Sequence, residues 1–158
     1  TLLERQLDFL TSRFAPERIF ASIQAEWLQR CRGLAPAVNW VAVDPDAAPF
    51  GSLQRLIAAS AVQTWAFLHH VDMPVWEPDL FAALSARAAA ACAAEAVVPV
   101  HGGRRGHPVL LAPKLQRRLA AADPAKDRLD AWLRASRVEE VAVPFPCILE
   151  NWNDPHAN

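Results

Sequence analysis

Residues 67–74 read Phe-Leu-His-His-Val-Asp-Met-Pro, and this stretch decides how the chain is interpreted. An apolar run that ends in a carboxylate and stops at Pro74 predicts a buried strand with Asp72 at its carboxyl end. Open α/β sheets bind ligands at the carboxyl ends of their strands, and Mg²⁺ uses carboxylates when it holds substrate phosphates. The alternative is that Asp72 only stabilises the turn before Pro74, and the stretch alone leaves both interpretations open.

Strands and helices alternate on both sides of this stretch. Strands are predicted at residues 18–23, 38–43, 64–70, 96–100, 107–111 and 139–143, with helices between most of them. This alternation predicts an α/β protein with a mostly parallel sheet, the strand at 64–70 being central. The loop at residues 101–106, with three glycines and two arginines, predicts a short antiparallel insertion at one edge. Pro108 places the following strand at an edge or a bulge, because proline lacks an N–H for the ladder.

Length and composition bound the class of protein. A chain of 158 residues with 53% hydrophobic and 21% charged residues predicts one globular domain, residues 1–158. The net charge of −1 gives no reason to expect nucleic acid or a membrane surface as a partner. Three widely spaced cysteines argue against a disulfide framework or a cysteine zinc site and favour a cytoplasmic location.

Four polar features are candidates for one ligand site at the carboxyl end of the predicted sheet. They are the Gly51-Ser52 helix start, Asp72, the Arg104-Arg105 loop and the Asn151/Asn153 segment. A carboxylate, backbone donors, guanidinium groups and amide oxygens suit a nucleotide phosphate with Mg²⁺. Each feature also has a simpler explanation: Ser52 as a helix N-cap, the arginines as a solvated loop, and the asparagines as a turn.

Several catalytic signatures are absent from the sequence. It has no Gly-x-Ser-x-Gly nucleophile elbow, no Walker phosphate loop and no Gly-x-Gly-x-x-Gly motif. The glycines at 102, 103 and 106 follow a predicted strand but do not open a helix, which excludes a dinucleotide-binding turn.

Several segments resemble the molybdenum-cofactor nucleotidyltransferases, the guanylyl- and cytidylyltransferases of the molybdopterin pathway. Residues 71–74 are similar to an Asp-Met-Pro after that family's central strand, and residues 105–111 resemble its Gly-His-Pro segment. Three further segments occur in the family's order. The first helix of the family is similar to residues 2–7, its Gly and Ser-Leu helix start to residues 51–53, and its Asn-x-Asn-Thr-Pro segment to residues 151–155. Gly-His-Pro together with Asp-Met-Pro is the more specific part of the resemblance.

The resemblance implies a three-layer α/β/α domain of the Rossmann-like nucleotide-diphospho-sugar transferase type. It implies a cytoplasmic enzyme that transfers CMP or GMP from CTP or GTP to a molybdopterin-type cofactor and releases pyrophosphate. Asp72 would be catalytic and, with Asn153, would hold Mg²⁺. The residues implied to bind nucleotide and acceptor are Gly51, Ser52, Arg105, Gly106, His107 and Pro108. A molybdoenzyme or its chaperone is a further implied partner.

The chain departs from the family pattern at both ends. Family members open with a strand and a glycine-rich loop that grips the triphosphate, and we expect that segment to precede Thr1. Asp154 stands where the family has Thr. Two alternatives stay open: a reduced, non-catalytic accessory protein on the same fold, and a nucleotidyltransferase for a sugar or choline phosphate. Trp76, just beyond Asp72, either stacks on a ligand ring or packs within the protein.

Overall fold

The computed structural model describes residues 1–61 and 63–152, which divide into two compact units. Within these residues, the first unit comprises Thr1, 3–61, 63 and 116–132, and the second comprises Leu2, 64–115 and 133–152. In the described part of the chain, no helix is both long and apolar enough to cross a membrane. The prediction of a single domain over residues 1–158 stays a prediction.

The first unit is built on two parallel strands. Its elements are α1 (Leu2–Thr11), β1 (Phe20–Gln24), α2 (Leu28–Leu34), β2 (Asn39–Val43) and α3 (Pro49–Ser60), with 3-10 turns at Pro16–Arg18 and Ala25–Trp27. β1 and β2 pair in parallel with Phe20 opposite Asn39, as the alternation of strand and helix predicted. α2 lies against β2, and α3 lies against both strands.

Helical spacing and a capping box explain why the first unit begins with a helix. The Thr1 hydroxyl accepts from the Glu4 N–H, and the Glu4 carboxylate reaches back to the Thr1 amine. Leu3, Leu7 and Leu10 then repeat at the spacing that lines one helix face. That face joins a buried cluster of Leu7, Ile19, Cys31, Val38 and Trp40. The only polar atom of the Trp40 side chain is satisfied, because its indole N–H donates to the Ala35 carbonyl at 2.9 Å.

The second unit holds a mixed five-stranded sheet. Its elements are β3 (Ala66–Leu68), α4 (Pro78–Ala90), β4 (Ala96–His101), β5 (Arg104–Arg105), β6 (Val109–Leu111) and β7 (Val138–Ala142), with a 3-10 turn at Pro146–Leu149. The strand order is β3-β6-β4-β5, and β7 pairs with the other edge of β4. α4 lies against β4, β6 and β7 and buries Leu80 and Leu84 fully. α5 (Pro113–Ala120) and α6 (Leu129–Ala135) lie where the chain passes between the units.

The prediction of a mostly parallel sheet is wrong for this unit. Three of its four strand pairings are antiparallel, and only β4 with β7 is parallel. Gly102 and Gly103, with φ of 56° and 75°, reverse the chain between β4 and β5, and no helix separates β5 from β6. A chain that returns without a crossover helix must pair antiparallel.

The loop at residues 101–106 does form an antiparallel strand, β5, which pairs with β4 alone in the described part of the chain, whereas β6 lies in the interior of the sheet. β6 lies between β3 and β4 and runs antiparallel to both. Because β7 is parallel to β4, the strands β3, β4 and β7 share one direction. β4 is therefore the central strand, whereas β3, predicted as central, pairs with β6 alone among the described residues. The edge or bulge predicted from Pro108 is also wrong: β6 begins at Val109, so Pro108 lies before the strand and withholds no donor from the ladder.

Candidate active site

Asp72 lies in the turn that follows β3. The strand ends at Leu68, earlier than the predicted His70, and the Met73 N–H donates to the His70 carbonyl at 3.3 Å to close the turn. The Asp72 side chain is half-buried, while Met73, Pro74 and Val75 after it are buried. The apolar residues thus hold the turn in place and leave the carboxylate partly accessible to a ligand.

The C-terminal segment meets the protein at this turn. The backbone N–H of Trp152 donates to the carbonyl oxygen of Asp72 at 2.9 Å. The Trp152 ring also lies edge-to-face against Trp76, with centroids 5.8 Å apart and an interplanar angle of 86°. The predicted second metal ligand, Asn153, lies outside the described residues.

Three histidines surround the same turn. The rings of His70 and His107 stand almost perpendicular with centroids 4.6 Å apart. The His107 ring donates a hydrogen bond to the Leu68 backbone, and its Nδ1 is buried with no hydrogen-bond partner in the described part of the chain. The Asp72 charge acts on both His69 and His107. The structure therefore brings the His107 segment, predicted to bind the acceptor, next to the Asp72 turn.

Two of these imidazoles are neutral at physiological pH. Burial lowers the pKa of His69 and of His107 to about 4, because a buried ring disfavours its charged form. The neighbouring His70 lowers both pKa values further, and the negative charge of Asp72 opposes the shift without cancelling it. These rings act as neutral hydrogen-bonding groups, so they do not supply positive charge to a phosphate.

Gly106 is required by a close backbone approach. A Cβ at this position would lie 2.3 Å from the Ile148 carbonyl oxygen and under 3 Å from two atoms of its side chain. The same carbonyl accepts from the His107 N–H at 3.0 Å, and the Gly106 N–H donates to Pro99 at 2.9 Å. The glycine thus allows the Pro146–Leu149 turn to pack on the segment that carries His107 and Pro108.

Arg105 lies on β5 in an exposed ion pair. Its Nε donates to Oε1 of Glu140 at 2.7 Å, and both side chains are about half exposed. The partner carboxylate belongs to β7, so the pair connects the two strands that flank β4. The predicted contact of Arg105 with a phosphate stays a prediction.

Gly51 and Ser52 lie in the first unit, whereas Asp72 lies in the second, so their convergence with it stays a prediction. The prediction that Ser52 caps its helix is wrong. α3 begins at Pro49 with Ala48 as its N-cap, and the Ser52 N–H donates to the Ala48 carbonyl at 3.3 Å within the first turn. Pro49 explains the earlier start, because its fixed φ suits the first helical position.

The donor set fits a metal that arrives with its substrate. Among the described residues, no group of three or more His, Cys, Asp or Glu side chains could hold a metal ion. Mg²⁺ does not need such a cage, because it commonly binds through one or two carboxylates plus substrate phosphates. A half-buried Asp72 meets that requirement as the protein carboxylate.

A cleft in the first unit does not contain the residues of the candidate site. It has a volume of about 500 Å³ in the first unit and is lined by residues that include Phe20 and Asn39, the first residues of β1 and β2. Parallel strands bind ligands at their carboxyl ends, so this cleft lies at the wrong end of the pair. We therefore place the candidate site at Asp72.

The sequence matches the model of one protein family along most of its length. The MobA-like NTP transferase domain matches residues 1–141. The chain belongs to this family. As a MobA-like NTP transferase it is a nucleotidyltransferase by family, which confirms the resemblance recognised from the Asp-Met-Pro and Gly-His-Pro segments. Comparison with curated proteins finds no match.

Solved structures share the fold of this MobA-like NTP transferase at low identity. A protein of Aquifex aeolicus VF5 has a TM-score of 0.74 at 16% identity, covering 97% of this chain and 79% of its own. Rv0371c of Mycobacterium tuberculosis, solved in complex with manganese, has a TM-score of 0.72 at 20% identity, covering 97% and 83%. Molybdopterin-guanine dinucleotide biosynthesis protein A of Archaeoglobus fulgidus has a TM-score of 0.60 at 15% identity, covering 87% and 69%. These likenesses show a mixed α/β fold.

Sequence reasoning missed two contributors to the site. Trp152 was only the variable residue between two asparagines, and no local pattern distinguishes a tryptophan beside a site from one in a core. His70 was part of the predicted strand, and its contact with His107 joins residues 37 positions apart. Only the fold brings such residues together.

Proposed function

We propose that this MobA-like NTP transferase transfers CMP or GMP from CTP or GTP to the phosphate of a molybdopterin-type cofactor and releases pyrophosphate. One observation carries the proposal: three of the segments that resemble family motifs, those of Asp72, His107 and Trp152, meet in the second unit. The Asp72 turn bonds to Trp152 and lies beside His107, although the chain separates these segments widely. The name of the Archaeoglobus fulgidus structure, which mentions molybdopterin-guanine dinucleotide biosynthesis, supports this choice of acceptor.

The proposed reaction is an in-line displacement. An oxygen of the acceptor phosphate attacks the α-phosphorus of the nucleoside triphosphate, and the bond from that phosphorus to the bridging oxygen of the β-phosphate breaks. Pyrophosphate carries away the electron pair of the broken bond. Catalysis then depends on holding the two phosphates in line and balancing their charge.

Asp72 would hold Mg²⁺, with Asn153 as the proposed second protein ligand. When bound there, Mg²⁺ would supply charge neutralisation for the phosphates. A manganese complex of a structural relative supports a divalent cation in this role.

The remaining residues would position the substrates. Arg105 would donate to a phosphate, since a guanidinium group makes charge-assisted hydrogen bonds to phosphate oxygens. The half-buried His107 ring is neutral, and its Nδ1 has no hydrogen-bond partner among the described residues, so it would present a hydrogen-bonding atom without adding charge. Gly106 and Pro108 would shape the acceptor pocket around it, and Gly51 and Ser52 would contribute backbone donors to the nucleotide.

The broader setting belongs to the same proposal. We infer a cytoplasmic enzyme, a three-layer α/β/α domain, and delivery of the product to a molybdoenzyme or its chaperone. The resemblance to the molybdenum-cofactor enzymes supports these inferences.

The experiment that tests the proposal is an acceptor screen with labelled CTP and GTP and Mg²⁺. A pterin phosphate monoester and authentic molybdopterin should yield a labelled dinucleotide and one pyrophosphate per product. Sugar phosphates and choline phosphate serve as the competing acceptors. If label is transferred only to a sugar phosphate or to choline phosphate, that compound is the acceptor and the molybdopterin proposal is wrong. If no acceptor receives label, a non-catalytic accessory role is favoured.

A further inference from the structure

Two exposed apolar residues, Val71 and Trp152, adjoin Asp72 through the main chain, and we call them the apolar patch. Val71, which precedes it, is 50% exposed, and Trp152, which is hydrogen-bonded to its carbonyl, is 53% exposed. Water-exposed large apolar side chains that gather around a polar group are typical of ligand sites. Trp27 and Leu34 are also exposed but belong to the first unit.

The geometry of the tryptophan pair leaves a stacking surface. The Trp76 and Trp152 rings meet at 86°, so one ring presents an edge and the other a face. In either arrangement Trp76 leaves at least one face of the Trp152 indole uncovered. The main-chain bond from Trp152 to Asp72 holds the backbone that carries this ring against the Asp72 turn. A flat ring seated there would lie close to a phosphate held at Asp72.

Carboxylates accompany both tryptophans. Glu77 follows Trp76, and Glu150 lies two residues before Trp152. Burial raises the pKa of the Cys147 thiol, and the negative charges of Glu77 and Glu150 raise it further. Carboxylate oxygens accept hydrogen bonds from ring N–H groups. Such acceptors suit a heteroaromatic ring with N–H donors on its edge, such as a pterin or a guanine.

We propose that Trp152, supported by Trp76 and Val71, is a stacking subsite for the planar heteroaromatic ring of a phosphate-bearing substrate. The subsite rests on the proposed nucleotidyl transfer, since that reaction places such a substrate at Asp72. The ring belongs either to the nucleobase or to the acceptor, and both have the same stacking chemistry. Trp152 is here a specificity residue, because it contacts a ring and not the reacting phosphorus.

The test measures KM and kcat for Trp152→Leu and Trp152→Phe, with each substrate varied in turn. Neither substitution removes the main-chain bond to Asp72, since its donor is a backbone N–H. Trp27→Leu is the matched control, an exposed tryptophan in the other unit. Val71→Ser is a second patch variant that does not depend on how Trp152 substitutions affect the fold.

We expect Trp152→Leu to raise KM about ten-fold for one ring-bearing substrate with kcat within about two-fold of wild type, in line with measured stacking contributions. Trp152→Phe should retain most of the affinity, Val71→Ser should raise the same KM by a smaller factor, and Trp27→Leu should change neither constant. A raised KM for CTP or GTP assigns the ring to the nucleobase, and a raised KM for the pterin phosphate monoester assigns it to the acceptor.

Three results would overturn the subsite. The first is that Trp152→Leu leaves the KM values for both substrates unchanged. The second is a loss confined to kcat, which is expected if Trp152 only anchors the C-terminal segment. The third is an equal change in the KM for choline phosphate, whose cation also binds aromatic rings. If the wild-type protein transfers no nucleotide to any acceptor, the proposed function is wrong, but the ring-binding subsite is not yet tested. Quenching of tryptophan fluorescence by GTP, CTP and the pterin phosphate, compared between wild type and Trp152→Leu, then still decides whether Trp152 binds a ring.

Discussion

The backbone N–H of Trp152 donates to the carbonyl oxygen of Asp72 at 2.9 Å, which joins residues 80 positions apart. This bond holds the end of the described chain against the turn that carries the candidate catalytic carboxylate. Because both partners are backbone groups, side-chain substitutions at either position leave the bond available. The site can therefore be dissected residue by residue without detaching the C-terminal segment.

Gly106→Ala should destabilise the protein by about 3 kcal/mol, the upper part of the usual range for an overpacked core. The new Cβ would lie 2.3 Å from the Ile148 carbonyl oxygen, a backbone atom that cannot rotate away. Urea unfolding monitored by circular dichroism measures the change.

Gly33→Ala is the control for that substitution. Gly33 lies within α2, and a Cβ there would meet no atom within 4 Å. Alanine is the better helix former, so this variant should gain about 0.5–1 kcal/mol. Equal effects of the two substitutions would contradict the close packing of Gly106.

Arg105→Ala should raise the KM for the nucleoside triphosphate by about ten-fold, because a charge-assisted phosphate contact is lost. The free energy of unfolding should change by less than about 1 kcal/mol, since the Arg105–Glu140 pair is exposed. Steady-state kinetics and urea unfolding measure the two effects separately.

Arg87→Ala is the matched control for Arg105. Arg87 also forms an exposed ion pair, with Glu139, the residue next to Glu140 on β7. It should show the same small loss of stability with unchanged kinetics. If Arg105→Ala also leaves the KM unchanged, its guanidinium group serves the ion pair alone.

Stability should decrease as the pH falls from about 6.5 toward 4. His69 and His107 have pKa values near 4 in the folded protein, against an ordinary value of 6.5, because burial disfavours the charged rings. Between these values the unfolded chain binds more protons than the folded one, so protons favour unfolding. Each ring contributes up to roughly 3 kcal/mol, which is fully present above pH 6.5 and is lost as the pH approaches 4.

Urea titrations at several pH values measure this dependence. His107→Gln removes one of the two titrating rings, so its stability should vary less steeply with pH than that of the wild type. Parallel curves for the two proteins would show that His107 does not contribute to the acid sensitivity.

Local patterns predicted the direction of most strands. Apolar runs separated by helices correctly gave parallel β1 and β2 and a common direction for β3, β4 and β7. They could not place β6 between β3 and β4, because a three-residue strand carries no information about its distant partners. The start of α3 at Pro49 could have been predicted from the sequence, because proline is favoured at the first position of a helix.

The candidate site was predictable to a similar extent. Asp72 and the His107 segment were identified from motifs, and the fold places them together. The contributions of His70 and Trp152 depend on contacts between distant segments, and the neutral state of His69 and His107 depends on burial that only tertiary packing creates.

The most direct measurement compares pyrophosphate release by the wild-type protein, Asp72→Asn and Asp46→Asn with CTP or GTP, Mg²⁺ and a pterin phosphate acceptor. Asparagine keeps the shape of Asp72 but removes its charge, and Asp46 is an exposed carboxylate in the turn after β2. We predict that Asp72→Asn lowers kcat by about a hundred-fold or more, as loss of a charge-stabilising group does. Its free energy of unfolding should stay unchanged, and Asp46→Asn should keep the wild-type rate. A folded Asp72→Asn protein that releases pyrophosphate at the wild-type rate would contradict the assignment of Asp72.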